Sequence, residues 1–230
     1  MMTLSIIMPV LNEAADIEVA LQALAPYRQR GVEVIVVDGG SSDDTAERAR
    51  VLADRVIAAT RGRSLQMNAG AAAAKGDVLL FLHADTQLPT DADTLVLDGL
   101  NRSGRLWGRF NVRFDGGKRL ALVALMMNWR SRLTGIATGD QAMFATRMAF
   151  ASVGGFPEIP LMEDVALSKR LKRISRPLCL TARVVTSGRR WDEGGALRTI
   201  LLMWRLRLAF FLGVEPAALA RRYGTLPRDG

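Results

Sequence analysis

One cysteine and one histidine in 230 residues remove several chemistries at once. Cys179 has no partner for an intrachain disulfide, a usage that fits a reducing cytoplasm. A His-rich zinc site or a Ser-His-Asp triad would have to be built around His83 alone. No Gly-Lys-Ser or Gly-Lys-Thr occurs, so a P-loop is absent. The first strand-like run is followed by Leu11-Asn12-Glu13 rather than by Gly-x-Gly-x-x-Gly, which argues against a nicotinamide-binding fold. Long apolar runs are missing too. Leu120 to Met127 is the longest uninterrupted stretch, far short of the ~20 residues a membrane helix needs. Met1 to Val10 lacks the basic start of a signal peptide, so the expectation is a cytoplasmic protein.

What is present is ordinary globular composition. At 49% hydrophobic and 23% charged, the chain can bury one substantial core. The charge is uneven. Lys169 to Gly230 holds 14 of the 31 Lys and Arg but only 4 of the 23 Asp and Glu. That points either to an anionic partner or to a solvated basic face. A nucleic-acid partner is disfavoured, because the basic segment lacks interleaved aromatics and the site residues are acidic.

The first half alternates strand and helix. Strands are expected at Leu4 to Val10, Val34 to Val37, Arg55 to Ala58 and Val78 to Leu82. Helices are expected at Ala14 to Tyr27, from Asp44 to about Ala53 with Asp44 and Glu47 as a capping box, and at Leu65 to Lys75 with Gly76 as the stop. This order predicts right-handed crossovers and a mostly parallel, Rossmann-like sheet flanked by helices. In the second half a strand is expected at Trp107 to Phe114 and another at Leu178 to Val185. Helices are expected at Arg119 to Leu133, Glu163 to Ile174 and Leu197 to Leu212. One domain is expected, with a first half at 1–115, a second half at 116–195 and a C-terminal helical extension at 196–230.

Acids recur where such a sheet presents its ligands, just past strand ends. Asn12-Glu13, Asp38 and Asp85 all have that placement. Asp38 precedes Gly39-Gly40, which permit a close approach of ligand to backbone. It suits a ribose or base contact, and a plain strand-turn-helix junction equally. His83 and Asp85, two apart at a strand end, suit a hard divalent ion such as Mg²⁺ or Mn²⁺ that is shared with a diphosphate. Glu163-Asp164 opens a helix, whose dipole would keep a carboxylate ionised as a base. A pair of helix-capping acids is the alternative. Arg61, Arg63, Arg189 and Arg190 are candidates for phosphate contacts.

In order along the chain, Ser5 to Glu13, Val37 to Thr45, Asn68-Ala69-Gly70, Leu82-His83-Ala84-Asp85, Gly155-Phe156, Glu163-Asp164 and Arg190-Trp191 resemble the motifs of inverting family 2 glycosyltransferases, which have the GT-A fold. The resemblance implies transfer of a sugar from a nucleoside-diphosphate sugar to an acceptor hydroxyl. It implies that Asp164, with Glu163 beside it, is catalytic, and that Asp85 and His83 hold Mg²⁺ or Mn²⁺. It further implies that Pro9, Asn12, Glu13, Asp38, Arg61, Arg63, Asn68, Ala84, Asp85, Arg190 and Trp191 line the nucleotide sugar. For the half at 1–115 it implies nucleotide-sugar binding, and for the half at 116–195 acceptor binding with catalysis. The chain departs from the family pattern at three places. His83 stands for the first acid of Asp-x-Asp, Met67 for an Arg before Asn68, and Ser187 for the Gln of Gln-x-x-Arg-Trp. The short chain resembles a bacterial subgroup linked to arsenosugar or carotenoid-glycoside pathways. The acceptor is open, a lipid-linked one included. For Leu197 to Leu212, packing on the core or a second subunit and lying on the inner face of a membrane both stay open. A nucleotidyltransferase and a non-catalytic nucleotide-sugar-binding module are the alternatives for the whole chain.

Overall fold

The computed structural model describes residues 2–116, 118–188 and 196–223. Its centre is a block of four parallel strands. β1 (Leu4–Val10) pairs with β2 (Glu33–Asp38) from Ser5 opposite Glu33 to Val10 opposite Asp38. β3 (Arg55–Ala58) joins the outer side of β2, and β4 (Val78–Phe81) joins β1. β1, β2 and β4 are near-continuous apolar runs because helices cover both faces of the sheet. All four strands run the same way, so the loops that leave them gather on one edge. Pro9 costs no ladder bond to β4, because it lies past Ile7, the last β1 residue paired with that strand.

Beyond β4 the direction alternates. β7 (Phe144–Thr146) is antiparallel to β4, and β6 (Trp107–Phe114) is antiparallel to β7. β8 (Leu178–Thr186) runs parallel to β6, and the two-residue β5 (Thr86–Gln87) closes the far edge antiparallel to β8. The order is β3-β2-β1-β4-β7-β6-β8-β5, mostly parallel as expected. The sheet is also forced to curl. Phe81 ends β4 and Thr86 starts β5, yet three strands lie between them in the order. Four strand spacings in a flat sheet would be roughly 19 Å. Five residue steps reach at most roughly 17–18 Å. Residues 82–85 therefore bridge across the concave side.

The helices depart from expectation in detail. The single helix expected at Ala14 to Tyr27 is two, α1 (Ile17–Gln22) and α2 (Ala25–Gln29). Pro26 sits in the first turn of α2, where its missing N–H goes unneeded. α3 (Thr45–Leu52) is not capped by Asp44. Asp43 instead accepts from the Thr45 backbone N at 3.1 Å and from the Thr45 hydroxyl. α4 (Arg63–Ala73) ends before Gly76 is reached. Gly76 serves close packing, since a Cβ there would lie 2.6 Å from the Ser5 backbone N. α4 can approach the sheet because of Gly70, whose Cβ would meet Ile7 at 2.4 Å.

The second half supplies α5 (Ala92–Ser103), α6 (Lys118–Thr134), α7 (Arg147–Ser152) and α8 (Glu163–Leu171). α9 (Ala196–Phe211) and α10 (Pro216–Tyr223) follow. They form a small third core, in which Leu206 and Leu219 pack with Ile136, Met162 and Val165. The C-terminal extension thus seats itself at the start of α8, beside Glu163 and Asp164. This answers one open reading: a face of α9 packs on the protein itself.

Candidate active site

The loops after β1 and β2 are laced together. The Asn12 side-chain oxygen accepts from the Ser42 backbone N at 2.8 Å, while the Asn12 backbone N donates to Ser41 Oγ at 2.9 Å. The Glu13 backbone N donates to Thr45 Oγ1 at 2.7 Å. Asp38, 8% exposed, accepts from the backbone N of Gly40 and of Ser41, each at 3.1 Å, and from the Ser41 hydroxyl at 2.5 Å. Its first task is to shape its own turn, and a carboxylate keeps some acceptor capacity beyond that. Gln66, 5% exposed, went unmarked in the sequence. Its Nε2 donates to the carbonyls of Val10 at 2.8 Å and Val37 at 2.9 Å, so it joins the ends of β1 and β2. Pro9 and Glu13 are half-buried at the same edge.

Asn68 departs from expectation. Its amide N donates to the Phe156 carbonyl at 2.9 Å and its amide O accepts from the Phe156 N at 3.0 Å. Both ends of the side chain hold the 155–156 turn, which is the contact the structure gives it. Arg63 also departs. Its guanidinium faces Glu163, with Nη1 3.8 Å from Glu163 Oε1. Arg61 is exposed in the loop after β3. Arg189, Arg190 and Trp191 lie outside the described residues.

The bridging segment carries His83, Ala84 and Asp85. Asp85 is exposed, and its Oδ1 accepts from the Thr86 hydroxyl at 3.2 Å. Ala84 is half-buried against the main core. The His83 ring lies on Gly139, where a Cβ would come within 2.6 Å of it. His83 Nδ1 is 3.8 Å from Asp140 Oδ1. Asp140 belongs to a 3₁₀ turn at Gly139–Gln141. The Gly139 backbone N, in turn, donates to Asp164 Oδ2 at 2.9 Å. One short turn therefore touches His83, two residues before Asp85, and Asp164 in the first turn of α8. Gly139-Asp140-Gln141, an acid in a Gly turn after an apolar helix, is the signal that could have marked Asp140.

Glu163 and Asp164 differ sharply. Glu163 is 5% exposed, and its carboxyl is pushed up to about 7. Burial is the main cause and the neighbouring Asp164 charge the second, with Arg63 pulling the other way. At Glu163 desolvation outweighs the helix dipole that would keep a carboxylate ionised. Burial also takes Glu163 away from an incoming acceptor, so the catalytic part expected of it does not extend to direct contact. Asp164 is half-buried and accepts from Val165 N at 2.6 Å as well as from Gly139. Among the described residues three non-glycines adopt the left-handed backbone: Ala142 at φ +44° and Met162 at +68°, which border this place, and Asn12 at +56° in the loop after β1. Such strain persists where surrounding structure over-determines it, as ligand sites often do.

The sequence profile of Glycosyl transferase family 2 matches residues 5–156. The chain belongs to that family. A curated relative, the PGL/p-HBAD biosynthesis glycosyltransferase of Mycobacterium bovis (strain BCG / Pasteur 1173P2), is 40% identical over 98 residues. That match takes in 40% of this chain and 38% of the relative, so it spans well under half the length of the mycobacterial protein. Among solved structures, S. aureus TarS 1-349 superposes with a TM-score of 0.66 at 18% identity, covering 88% of this chain and 66% of that one. The mannosyltransferase PcManGT from Pyrobaculum calidifontis, in complex with GDP-Man and Mn²⁺, gives 0.66 at 22% identity, covering 100% of this chain and 65% of its own. At those identities the two structures establish the shared fold. None of these proteins speaks for the arsenosugar or carotenoid-glycoside subgroup. The family match ends before Glu163-Asp164, so the acid pair stands on the geometry above.

A family 2 site with a divalent ion asks for few protein ligands. Among the described residues, no three His, Cys, Asp or Glu side chains gather into a metal cage. An ion held chiefly by diphosphate oxygens needs only one or two carboxylates. Asp85 is exposed in the turn that joins β4 to β5, and Asp140 lies beside the nearby His83. Oxygen donors of that number suit Mg²⁺ or Mn²⁺.

Proposed function

We propose that this protein transfers a sugar from a nucleoside-diphosphate sugar to an acceptor hydroxyl with inversion at the anomeric carbon. The bond from Gly139 N to Asp164 Oδ2 carries the reading, because it ties the acid that opens α8 to the turn on which His83 rests. Acceptor chemistry and diphosphate chemistry then meet at one turn. The loops of Asn12, Glu13 and Asp38 receive the nucleotide. Asp85, with His83 and Asp140 behind it, holds Mg²⁺ or Mn²⁺, and a bound ion there supplies charge neutralisation for the departing diphosphate. Arg61 adds to that neutralisation. Asp164 takes the proton of the acceptor hydroxyl as its oxygen attacks from the face opposite the diphosphate. Buried Glu163, protonated near neutrality, keeps the pair from carrying two charges. The GDP-Man and Mn²⁺ bound by the Pyrobaculum mannosyltransferase support the donor class. A panel of nucleotide sugars with Mn²⁺, read as release of nucleoside diphosphate, tests the proposal. Release of pyrophosphate from a nucleoside triphosphate and sugar phosphate, without nucleoside diphosphate, would move the chain to nucleotidyl transfer.

A second reading concerns place, and a specific observation favours it. α6 exposes Leu125, Trp129 and Leu133, and α9 exposes Trp204, Leu208 and Phe211. Two apolar helix faces next to basic side chains suit an anionic membrane surface. No described helix is long and apolar enough to cross a membrane. Co-sedimentation with anionic vesicles that is lost in a Trp129→Ser, Trp204→Ser variant supports peripheral contact. A monomer–dimer equilibrium abolished by the same variant assigns the face to a second copy instead.

A further inference from the structure

Buried arginines in this fold come in two kinds. Arg109 on β6 is 0% exposed, and every guanidinium nitrogen is partnered. Nε donates to Ser131 Oγ at 3.1 Å, Nη2 to the Asn128 carbonyl at 3.1 Å, and Nη1 to the Phe110 carbonyl at 3.2 Å and to the Asn111 side chain. Arg130 on α6 is the opposite case. Its Nε and Nη2 are shut off from solvent and have no hydrogen-bond partner. Nε of Arg207, on α9, is in the same condition.

Unpaired buried donors are rare and costly, and a buried cation without a counter-ion costs more. Here two are close together. Burial, then the charge of Arg207, draws the Arg130 guanidinium down to about 10. Among the described residues neither arginine forms an ion pair. The acid whose charge does reach Arg130 is Asp164, and both Asp164 oxygens already accept backbone N–H groups. Leu206, next to Arg207, packs with Met162 and Val165 around the start of α8, which fixes the pair beside Asp164. Two half-buried forked cations with unmet N–H donors beside Asp164 suit one oxyanion.

We infer that Arg130 and Arg207 bind a phosphate group carried by the acceptor, close to the hydroxyl that Asp164 deprotonates. This rests on the transfer reading above, and it adds the acceptor's chemical class. The phosphate belongs either to a soluble phosphorylated alcohol or to a phospholipid headgroup. Both sources share the same contact.

Calorimetry on the full chain with saturating UDP and Mn²⁺ tests this, because the donor diphosphate pocket is then filled. Glycerol 3-phosphate and glycerol are compared, as are vesicles of phosphatidylglycerol and phosphatidylcholine. Glycerol 3-phosphate should bind where glycerol does not, or phosphatidylglycerol vesicles should bind in its place, and either result identifies the source. Arg130→Met and Arg207→Met should each weaken that binding about tenfold or more, the worth of a charged hydrogen bond. Without ligand, each variant should melt at or above the wild-type temperature, since methionine relieves a desolvated repulsion. A lowered melting temperature in both variants makes the pair structural and overturns the inference. So does the absence of phosphate binding in any form. Collapse of UDP affinity in the same variants would hand the pair to the donor. Each titration is repeated without nucleotide and with GDP in place of UDP, so that wild type failing to bind any nucleoside diphosphate, which removes the transfer reading, is told apart from failure to bind phosphate.

Discussion

The two walls of the crevice are built on opposite terms. On the donor wall, at the ends of β1, β2 and β4, the polar groups of Asn12, Asp38, Asp43 and Gln66 are bonded into a scaffold. On the acceptor wall, around the start of α8, charge stays unresolved. Glu163 is buried with its pKa raised, and Arg130 and Arg207 have donors without partners. The first wall is organised before any ligand arrives. The second carries local costs that a bound acceptor would offset. Preorganisation on one side and stored electrostatic stress on the other is a reasonable division for an enzyme that meets its two substrates differently.

The sharpest way to break this contrast is to neutralise the acceptor wall's base. Asp164→Asn should lower turnover about 10²- to 10⁴-fold, the usual worth of a positioned general base, with UDP affinity little changed. Near-normal turnover in that variant would remove Asp164 from the chemistry. Next comes Asp85→Ala on the donor side. It should weaken Mn²⁺-dependent UDP binding and cut turnover by about 10²-fold, the scale of losing one preorganised stabiliser. Activity that persists in excess chelator would place the diphosphate on Arg61 and its neighbours instead.

Glu163→Gln probes the stress directly. A carboxyl raised to about 7 in the folded protein, above its ordinary value, binds more protons folded than unfolded between those two pH values. Wild-type stability should therefore be highest on the acid side of that window and fall as pH rises through about 7, by up to about 3 kcal/mol. The Gln variant should lack this slope and melt above wild type at pH 8. Parallel pH profiles for the two proteins would show that Glu163 titrates like a surface acid. The smallest effect is expected at Gln66→Ala. Two buried carbonyls lose their donor, at a cost of about 1–3 kcal/mol in urea unfolding. A neutral result would mean that water replaces the amide and that the donor wall is less tightly built than its bonds suggest.

The donor wall is also the more legible in sequence. β1, β2 and β4 are apolar runs long enough to stand out, and Asp38 and Asp85 follow from where such runs stop. Partners within a few residues, such as Asp38 and Ser41, share one local motif. The acceptor wall depends on meetings across the chain. Gly139 reaches Asp164 from 25 positions away, and Arg130 and Arg207 converge from two helices. No periodicity reports such pairs. β5 and β7 have two and three residues, too short to show a period of two. Gln66 looked like one polar residue of an Ala-rich helix, because nothing local shows that it faces two strand ends. The helix start at Glu163 is a local signal, but the burial that raises its pKa is a tertiary property.

The short bridge from Phe81 to Thr86 acts as a ruler. It folds into a turn, closed by Thr86 N donating to the His83 carbonyl at 3.1 Å, so Asp85 sits at a fixed corner between β4 and β8. Any opening of the curled sheet must deform that turn, and any ligand that grips Asp85 must resist the opening. Donor occupancy and sheet curvature would then be mechanically linked. A chain lengthened by one residue inside 82–85 should bind donor more weakly without losing a single side chain.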